Sequence, residues 1–159
     1  MIFLTHLGDP VILQISSIIF ALILWRKIGH KISLWFLFAQ FVGYGLVLLV
    51  KYSIMRPRPT GKLFPAYGYS FPSGHTFATA IFALCLWTII IPRLKSTSSK
   101  FLFVILTSLW ILLIMYTRVY LRDHYASDVI GGLFLSLAWW LVLNQYGKRL
   151  NSGLLRNNS

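Results

Sequence analysis

Ile32-Ser33-Leu34-Trp35-Phe36-Leu37-Phe38-Ala39-Gln40-Phe41-Val42-Gly43-Tyr44-Gly45-Leu46-Val47-Leu48-Leu49-Val50 runs for 19 residues without a charged side chain and ends at Lys51. At about 1.5 Å of rise per residue, a helix of that length covers most of the ~30 Å hydrocarbon core of a bilayer. Four more apolar runs follow the same reading, at residues 11–25, 76–91, 101–116 and 129–143. The shorter ones are completed by flanking residues. The fold class expected is therefore all-α, a polytopic transmembrane helical bundle of about five spans. Residues 1–159 form one membrane-embedded domain, with a polar, basic C-terminal tail at 144–159.

Composition agrees with this reading. Hydrophobic residues make up 57% of the chain and charged residues 11%, whereas a soluble domain carries about 25% charged residues. Trp25, Trp35, Trp87, Trp139 and Trp140 stand near span ends, where interfacial anchoring is the ordinary use of tryptophan. Cys85 is the single cysteine, so an intrachain disulfide is excluded, and its place in an apolar run reads as core. The formal charge of +12 does not point to nucleic acid, because the cations lie between apolar runs and form no single basic stripe.

The cations instead carry topology. Nine of the 15, Arg26, Lys27, Lys31, Arg93, Lys95, Lys100, Lys148, Arg149 and Arg156, fall in one set of connecting segments with no acid. By the positive-inside rule that side is cytoplasmic. The opposite set holds Lys51, Arg56, Arg58, Lys62, Arg118 and Arg122 with all three acids of the chain, Asp9, Asp123 and Asp128. Chemistry is expected there, on the extracytoplasmic face of a multi-pass cell-membrane protein.

Two segments of that face stand out. In the first, Pro57, Pro59, Gly61, Pro65, Gly68 and Pro72 keep the chain irregular between the second and third spans. It ends at Phe71-Pro72-Ser73-Gly74-His75, where Ser73 is placed to cap the next helix and Gly74 lets the backbone approach a ligand. The free N–H groups and positive dipole of such a helix end receive phosphate, and His75 stands in its first turn. In the second segment, 117–128, Asp128 follows His124 by four residues. On one helix face, that carboxylate can accept a hydrogen bond from the N–H of one imidazole nitrogen and leave the other free to attack.

Together, Lys51-x6-Arg58-Pro59, Pro72-Ser73-Gly74-His75 and Arg118-x5-His124-x3-Asp128 resemble the three-part signature of the type 2 phosphatidic acid phosphatases. These are integral membrane lipid phosphatases related in their active site to vanadium haloperoxidases. The resemblance implies hydrolysis of a terminal phosphate from a lipid phosphate or diphosphate, with undecaprenyl diphosphate, phosphatidylglycerol phosphate and phosphatidic acid as open alternatives. It implies that His124 attacks phosphorus to form a phosphohistidine, that Asp128 supports its ring, and that His75 serves as acid and then base. Lys51, Arg58, Ser73, Gly74 and Arg118 would hold the phosphoryl oxygens. No metal site or cofactor is implied, and the partners are the lipid substrate and membrane lipids.

The chain departs from the family pattern in three places. Thr117 stands where Ser is usual, Arg122 takes a place often held by a small residue, and bacterial members commonly have six helices where five are read here, the absent one being the first. Residues 2–4 are too short for another span. Arg56 and Lys62 hold no motif position and are read as solvated or headgroup-facing. Asp123 is left outside the mechanism because on a helix it would point about 100° away from His124. Asp9 is assigned a local use with Pro10 at the start of the first span, and Gly131-Gly132 is read as close helix packing. A lipid phosphotransferase, or a non-catalytic protein that binds or moves lipid phosphates, would share many of these residues.

Overall fold

A computed structural model describes residues 6–61, 63 and 67–156, with side chains as far as Gln145, and each of the five apolar runs is a helix in it. These are α1 (Pro10–Lys27), α2 (His30–Ile54), α3 (Gly74–Ile90, continued by a 3-10 turn at Ile91–Arg93), α4 (Thr97–Tyr120) and α5 (Ala126–Arg156). All five are long and apolar enough to cross a membrane. No strand occurs among the described residues. The readings made for residues 2–4, Lys62 and Pro65 lie outside the described residues.

Local chemistry sets the helix starts. Asp9 caps α1, its Oδ1 accepting from Val11 N at 2.8 Å and Ile12 N at 3.3 Å, while Pro10 fills the first helical position, where no N–H is needed. Ser73 caps α3 by accepting from Thr76 N at 3.4 Å. Between α1 and α2 the chain reverses in two residues, and Gly29 takes φ 138° there, a backbone setting that L side chains rarely adopt.

Tertiary packing is centred on α3. Of its most apolar window 61% is buried, against 22–33% for the other four helices, and it touches each of them. The buried positions along it are mostly small, including Ala78, Thr79, Ala80 and Ala83, so neighbouring backbones come close. The outer helices turn Ile15, Leu22, Leu106 and Leu109 outward. That much exposed apolar surface suits acyl chains and would be a liability in water.

Three tryptophans do more than anchor at an interface. The indole N–H of Trp87 donates to Thr107 Oγ1 at 2.7 Å, joining α3 to α4. Trp140 donates to Thr88 Oγ1 at 2.9 Å and Trp139 to the Ala39 carbonyl at 3.0 Å, joining α5 to α3 and α2. Inside a bilayer such donors need protein acceptors, because no water supplies them.

The up-and-down order brings one end of every helix to the same place. The N-termini of α1, α3 and α5 arrive there carrying Asp9, Ser73 and Asp128, and the C-termini of α2 and α4 arrive carrying Lys51 and Arg118. Three positive dipole ends thus converge, and the two negative ends are each offset by a cation in the last turn.

Candidate active site

The α2–α3 connection starts at Met55, whose left-handed φ of 52° ends α2. Beyond it, Arg56 and Arg58 diverge. Arg58 reaches under the loop: its Nε donates to the Gly68 carbonyl at 3.0 Å and its Nη2 to the Tyr67 carbonyl at 2.9 Å. Lys51 does the same from the end of α2, with Nζ 2.8 Å from the Tyr69 carbonyl. The two motif cations therefore hold residues 67–70 in place while lining a cavity of about 280 Å³.

At the end of α4 the chain curls back over its last turn. The Arg118 carbonyl accepts from both Asp123 N at 3.2 Å and His124 N at 3.3 Å, and Arg122 at the crest takes φ 56°. Residues 121–125 are thus a turn, and α5 begins at Ala126. This corrects the helical reading of the motif: His124 and Asp128 do not share a helix face. They meet because the turn delivers the imidazole to the first turn of α5, where Asp128 Oδ2 caps Tyr125 N at 2.9 Å and lies 3.5 Å from His124 Nδ1. His124 Nε2 is left facing the Arg58 guanidinium, 3.4 Å from Nη1.

The turn also corrects the place of Asp123. Its side chain is fully buried and forms an ion pair with Arg118 Nη2 at 2.6 Å. Its carbonyl accepts from Arg58 Nη1 at 2.9 Å. Asp123 therefore joins two of the expected phosphate-binding cations from behind.

Arg56 is a third correction, since its guanidinium is not simply solvated. Nη1 donates to Asp128 Oδ1 at 2.7 Å and to Ser127 Oγ at 2.7 Å, and the group lies 4.2 Å over the Tyr125 ring. Asp9 has a long-range contact besides its local one, with Oδ2 3.7 Å from His75 Nε2. A sequence signal for both existed. The chain has three acids in total, and each ends beside a site residue: Asp9 by His75, Asp123 by Arg118, Asp128 by His124.

Of the residues expected from the sequence, Lys51, Arg58, Gly74, His75 and His124 line the cavity. Ser73, Arg118 and Asp128 sit behind its wall, each 4% exposed or less. The Ser73 hydroxyl caps α3 and also accepts from Thr76 Oγ1 at 3.1 Å. Ser73 N donates to the Asp128 carbonyl at 2.9 Å, which ties the second motif directly to the third. Gly132 permits that approach, since a Cβ there would lie 2.6 Å from the Ser73 carbonyl oxygen, and Gly131 packs against the Phe71 ring. The Gly131-Gly132 pair is thus packing, as read from the sequence. Among the described residues no three His, Cys, Asp or Glu side chains converge as a metal ion requires.

Electrostatics favour a neutral His124. Burial lowers its pKa to about 4, and the charges of Arg58, Lys51 and Arg118 act in the same direction against the support of Asp128. Burial also lowers Arg58 from its ordinary value, with Asp123 and Asp128 opposing. An uncharged imidazole with one nitrogen turned to a carboxylate and the other to a cationic cavity has the chemistry that a nucleophile toward an anionic electrophile requires.

Several known proteins resemble this chain in sequence or in fold. Dolichyldiphosphatase 1 of Rhinolophus ferrumequinum is 30% identical over 146 residues, covering 83% of this chain and 60% of that protein. Undecaprenyl-diphosphatase of Sulfolobus acidocaldarius is 29% identical over 143 residues, covering 85% of this chain and 63% of its own length. The chain thus spans about three fifths of these relatives. The crystal structure of a transmembrane PAP2 type phosphatidylglycerolphosphate phosphatase from Bacillus subtilis superposes with a TM-score of 0.85 at 26% identity, over 94% of this chain and 75% of that one. Aquifex aeolicus LpxE has the same fold at 23% identity, with a TM-score of 0.69 over 91% of this chain and 82% of its own. The model of the PAP2 superfamily matches residues 32–152, which contain all three motifs, the whole of α3 and α4 and most of α2 and α5, and the chain belongs to that family.

Proposed function

We propose that this protein is a membrane lipid phosphatase that removes the terminal phosphate of a polyprenyl diphosphate through a phosphohistidine on His124. The observation that carries the reading is the position of His124, with Nδ1 3.5 Å from Asp128 and Nε2 on the cationic wall of a ~280 Å³ cavity that also holds His75 and Lys51. The diphosphate is favoured because two of the relatives are named for dolichyl and undecaprenyl diphosphates. Phosphatidylglycerol phosphate is the second reading, supported by the name of the Bacillus subtilis structure.

The reaction follows from where the charges sit. The Nε2 lone pair of His124 attacks the terminal phosphorus in line, forming an N–P bond as the P–O bond to the lipid monophosphate breaks. His75 gives a proton to the departing oxygen. Water then attacks the phosphohistidine, His75 takes its proton, and the N–P bond breaks to release inorganic phosphate. Lys51, Arg58 and Arg118, with the N-terminus of α3, balance charge that builds on the phosphoryl oxygens. Asp128 steadies the imidazolium that forms on the way.

The site is assigned to the outer leaflet because the nine cations of the opposite segments hold the cytoplasmic side. Phosphate release from undecaprenyl diphosphate, phosphatidylglycerol phosphate and phosphatidic acid, each in detergent, ranks the substrates. Loss of release in His124→Ala, and a base-stable, acid-labile phosphoprotein in the wild type, are the expected results. More than a few per cent of wild-type turnover in His124→Ala would overturn the nucleophile. For orientation, Thr60→Cys and Ser98→Cys in a Cys85→Ser background are treated in intact cells with a membrane-impermeant thiol reagent. Position 60 is expected to label and position 98 is not, and the reverse would put the site in the cytoplasm.

A further inference from the structure

Arg56 lies outside the three motifs and does not line the cavity, yet it is built into the third motif more firmly than a surface cation would be. We propose that Arg56 is a positioning residue, which holds Asp128, and through it the His124 ring, in the geometry of attack. The proposal rests on the assignment of His124 as nucleophile.

A carboxylate anchored through one oxygen can still turn about its Cβ–Cγ bond. Asp128 is anchored through both. Oδ2 accepts from Tyr125 N at 2.9 Å and faces His124, while Oδ1 accepts from Arg56 Nη1 at 2.7 Å. The same nitrogen reaches Ser127 Oγ at 2.7 Å, and the guanidinium is stacked 4.2 Å from the Tyr125 ring centre. One side chain therefore grips three residues of the first turn of α5 and its cap.

Arg56 is itself held from the other side. Its carbonyl accepts from Ser70 N at 2.8 Å and from Ser70 Oγ at 3.3 Å, and Ser70 is fully buried. Two residues further on, Arg58 reaches His124 from the cavity side, with Nη1 3.4 Å from Nε2. The pair Arg56 and Arg58 thus brackets the histidine and its carboxylate from front and back. Only the front arginine can meet the phosphate.

That division sets the test. Loss of a group that orients the nucleophile and never touches the substrate lowers kcat with little change in KM. A misplacement of about 1 Å costs on the order of 10²-fold, so Arg56→Ala is expected to lower kcat by about 10- to 100-fold. The acid limb of kcat/KM is a second readout. The groups facing His124 are Arg58, Lys51, Arg118 and Asp128, with the titratable His75 on the same cavity, and Arg56 neutralises part of the Asp128 charge. Without it the carboxylate holds a proton on His124 more strongly, and the limb moves up by about half to one pH unit.

Because one nitrogen makes both polar contacts, the ammonium of Arg56→Lys can replace it, whereas Arg56→Gln carries no charge. The experiment measures kcat, KM and the pH profile of wild type, Arg56→Ala, Arg56→Gln, Arg56→Lys and His124→Ala on undecaprenyl diphosphate in detergent, with thermal stability measured for each. A kcat loss at constant KM in the Ala and Gln variants, a raised acid limb, and recovery in the Lys variant are the results expected. Unchanged kcat and pH profile in Arg56→Ala would overturn the proposal. So would a rise in KM alone, which would make Arg56 a substrate ligand, or rate losses that track Tm in all three variants, which would make its role structural. Turnover in His124→Ala would instead refute the nucleophile itself, and the proposal with it.

Discussion

Asp123→Asn removes one charge from the most deeply buried ion pair of the site and changes almost nothing in shape. Arg118 Nη2 and Asp123 Oδ2 are 2.6 Å apart, with side chains 5% and 0% exposed. Two unit charges about 4 Å apart at an effective dielectric constant near 20 attract by about 4 kcal/mol. Desolvation of both offsets part of this in the intact pair, but a guanidinium whose counter-charge is removed keeps its share of that cost. Breaking one partner of a buried pair costs about 3–5 kcal/mol. Asparagine can still accept one hydrogen bond from Arg118, so the loss expected is about 3 kcal/mol, at the lower end of that range. For a chain of this size, about 1 kcal/mol moves Tm by roughly 2–4 °C, so a fall of about 6–12 °C is expected. The assay is thermal unfolding of detergent-solubilised protein, run on Asp123→Asn, Arg118→Gln and the double variant. The pair predicts a coupling of about 1–3 kcal/mol, with the double variant losing less than the sum of the singles. Additive losses, or a Tm for Asp123→Asn within about 2 °C of wild type, would refute the buried-pair reasoning.

Three further outcomes follow from the geometry. Because the pKa of His124 is lowered to about 4, the neutral form that the proposed attack requires is expected to persist on acidification and to be lost only as pH falls through about 4; after correction for substrate ionisation, an acid limb of kcat/KM centred near the ordinary histidine value of about 6.5 would contradict this. Gly132→Ala would place a Cβ 2.6 Å from the Ser73 carbonyl oxygen, whereas Gly45→Ala meets nothing within 4 Å; phosphate release is expected to fall sharply in the first variant and to stay near wild type in the second, and equal rates would show that the α3–α5 approach does not govern the site. Arg122 takes φ 56° at an exposed turn, so Arg122→Gly is expected to raise stability by about 0.5–1 kcal/mol, visible as a higher Tm; a lower Tm would mean that the arginine side chain contributes more than its backbone setting costs.

Much of the architecture was legible along the chain because it depends on local properties. Five apolar runs became five helices, and the caps at Asp9 and Ser73 formed where an oxygen-bearing side chain precedes a run. Lys51, Arg58, Gly74, His75 and His124 line one cavity. The helical reading of 117–128 failed for a specific reason. The chain leaves α4 at Leu121 by folding its next N–H groups back onto the Arg118 carbonyl, and that turn competes with continued helix. Once residues 121–125 are a turn, the 100° spacing used to set Asp123 aside no longer holds, and its carboxylate swings onto Arg118.

What the sequence determined by itself is partition and polarity: which segments leave water, which end collects nine of the cations with no acid, and which end collects all three carboxylates. Those follow from transfer free energies and charge counts, which are sums over neighbouring residues. The tertiary structure alone decided how the carboxylates pair. Arg56 meets Asp128 across 72 positions and Asp9 meets His75 across 66, and no periodicity spans such distances. These contacts exist because small residues along α3, together with Gly132, let the helix ends converge to within hydrogen-bonding distance. In a dry interior a charged group brought there must find a partner, so the packing of the bundle determines the electrostatics of its site.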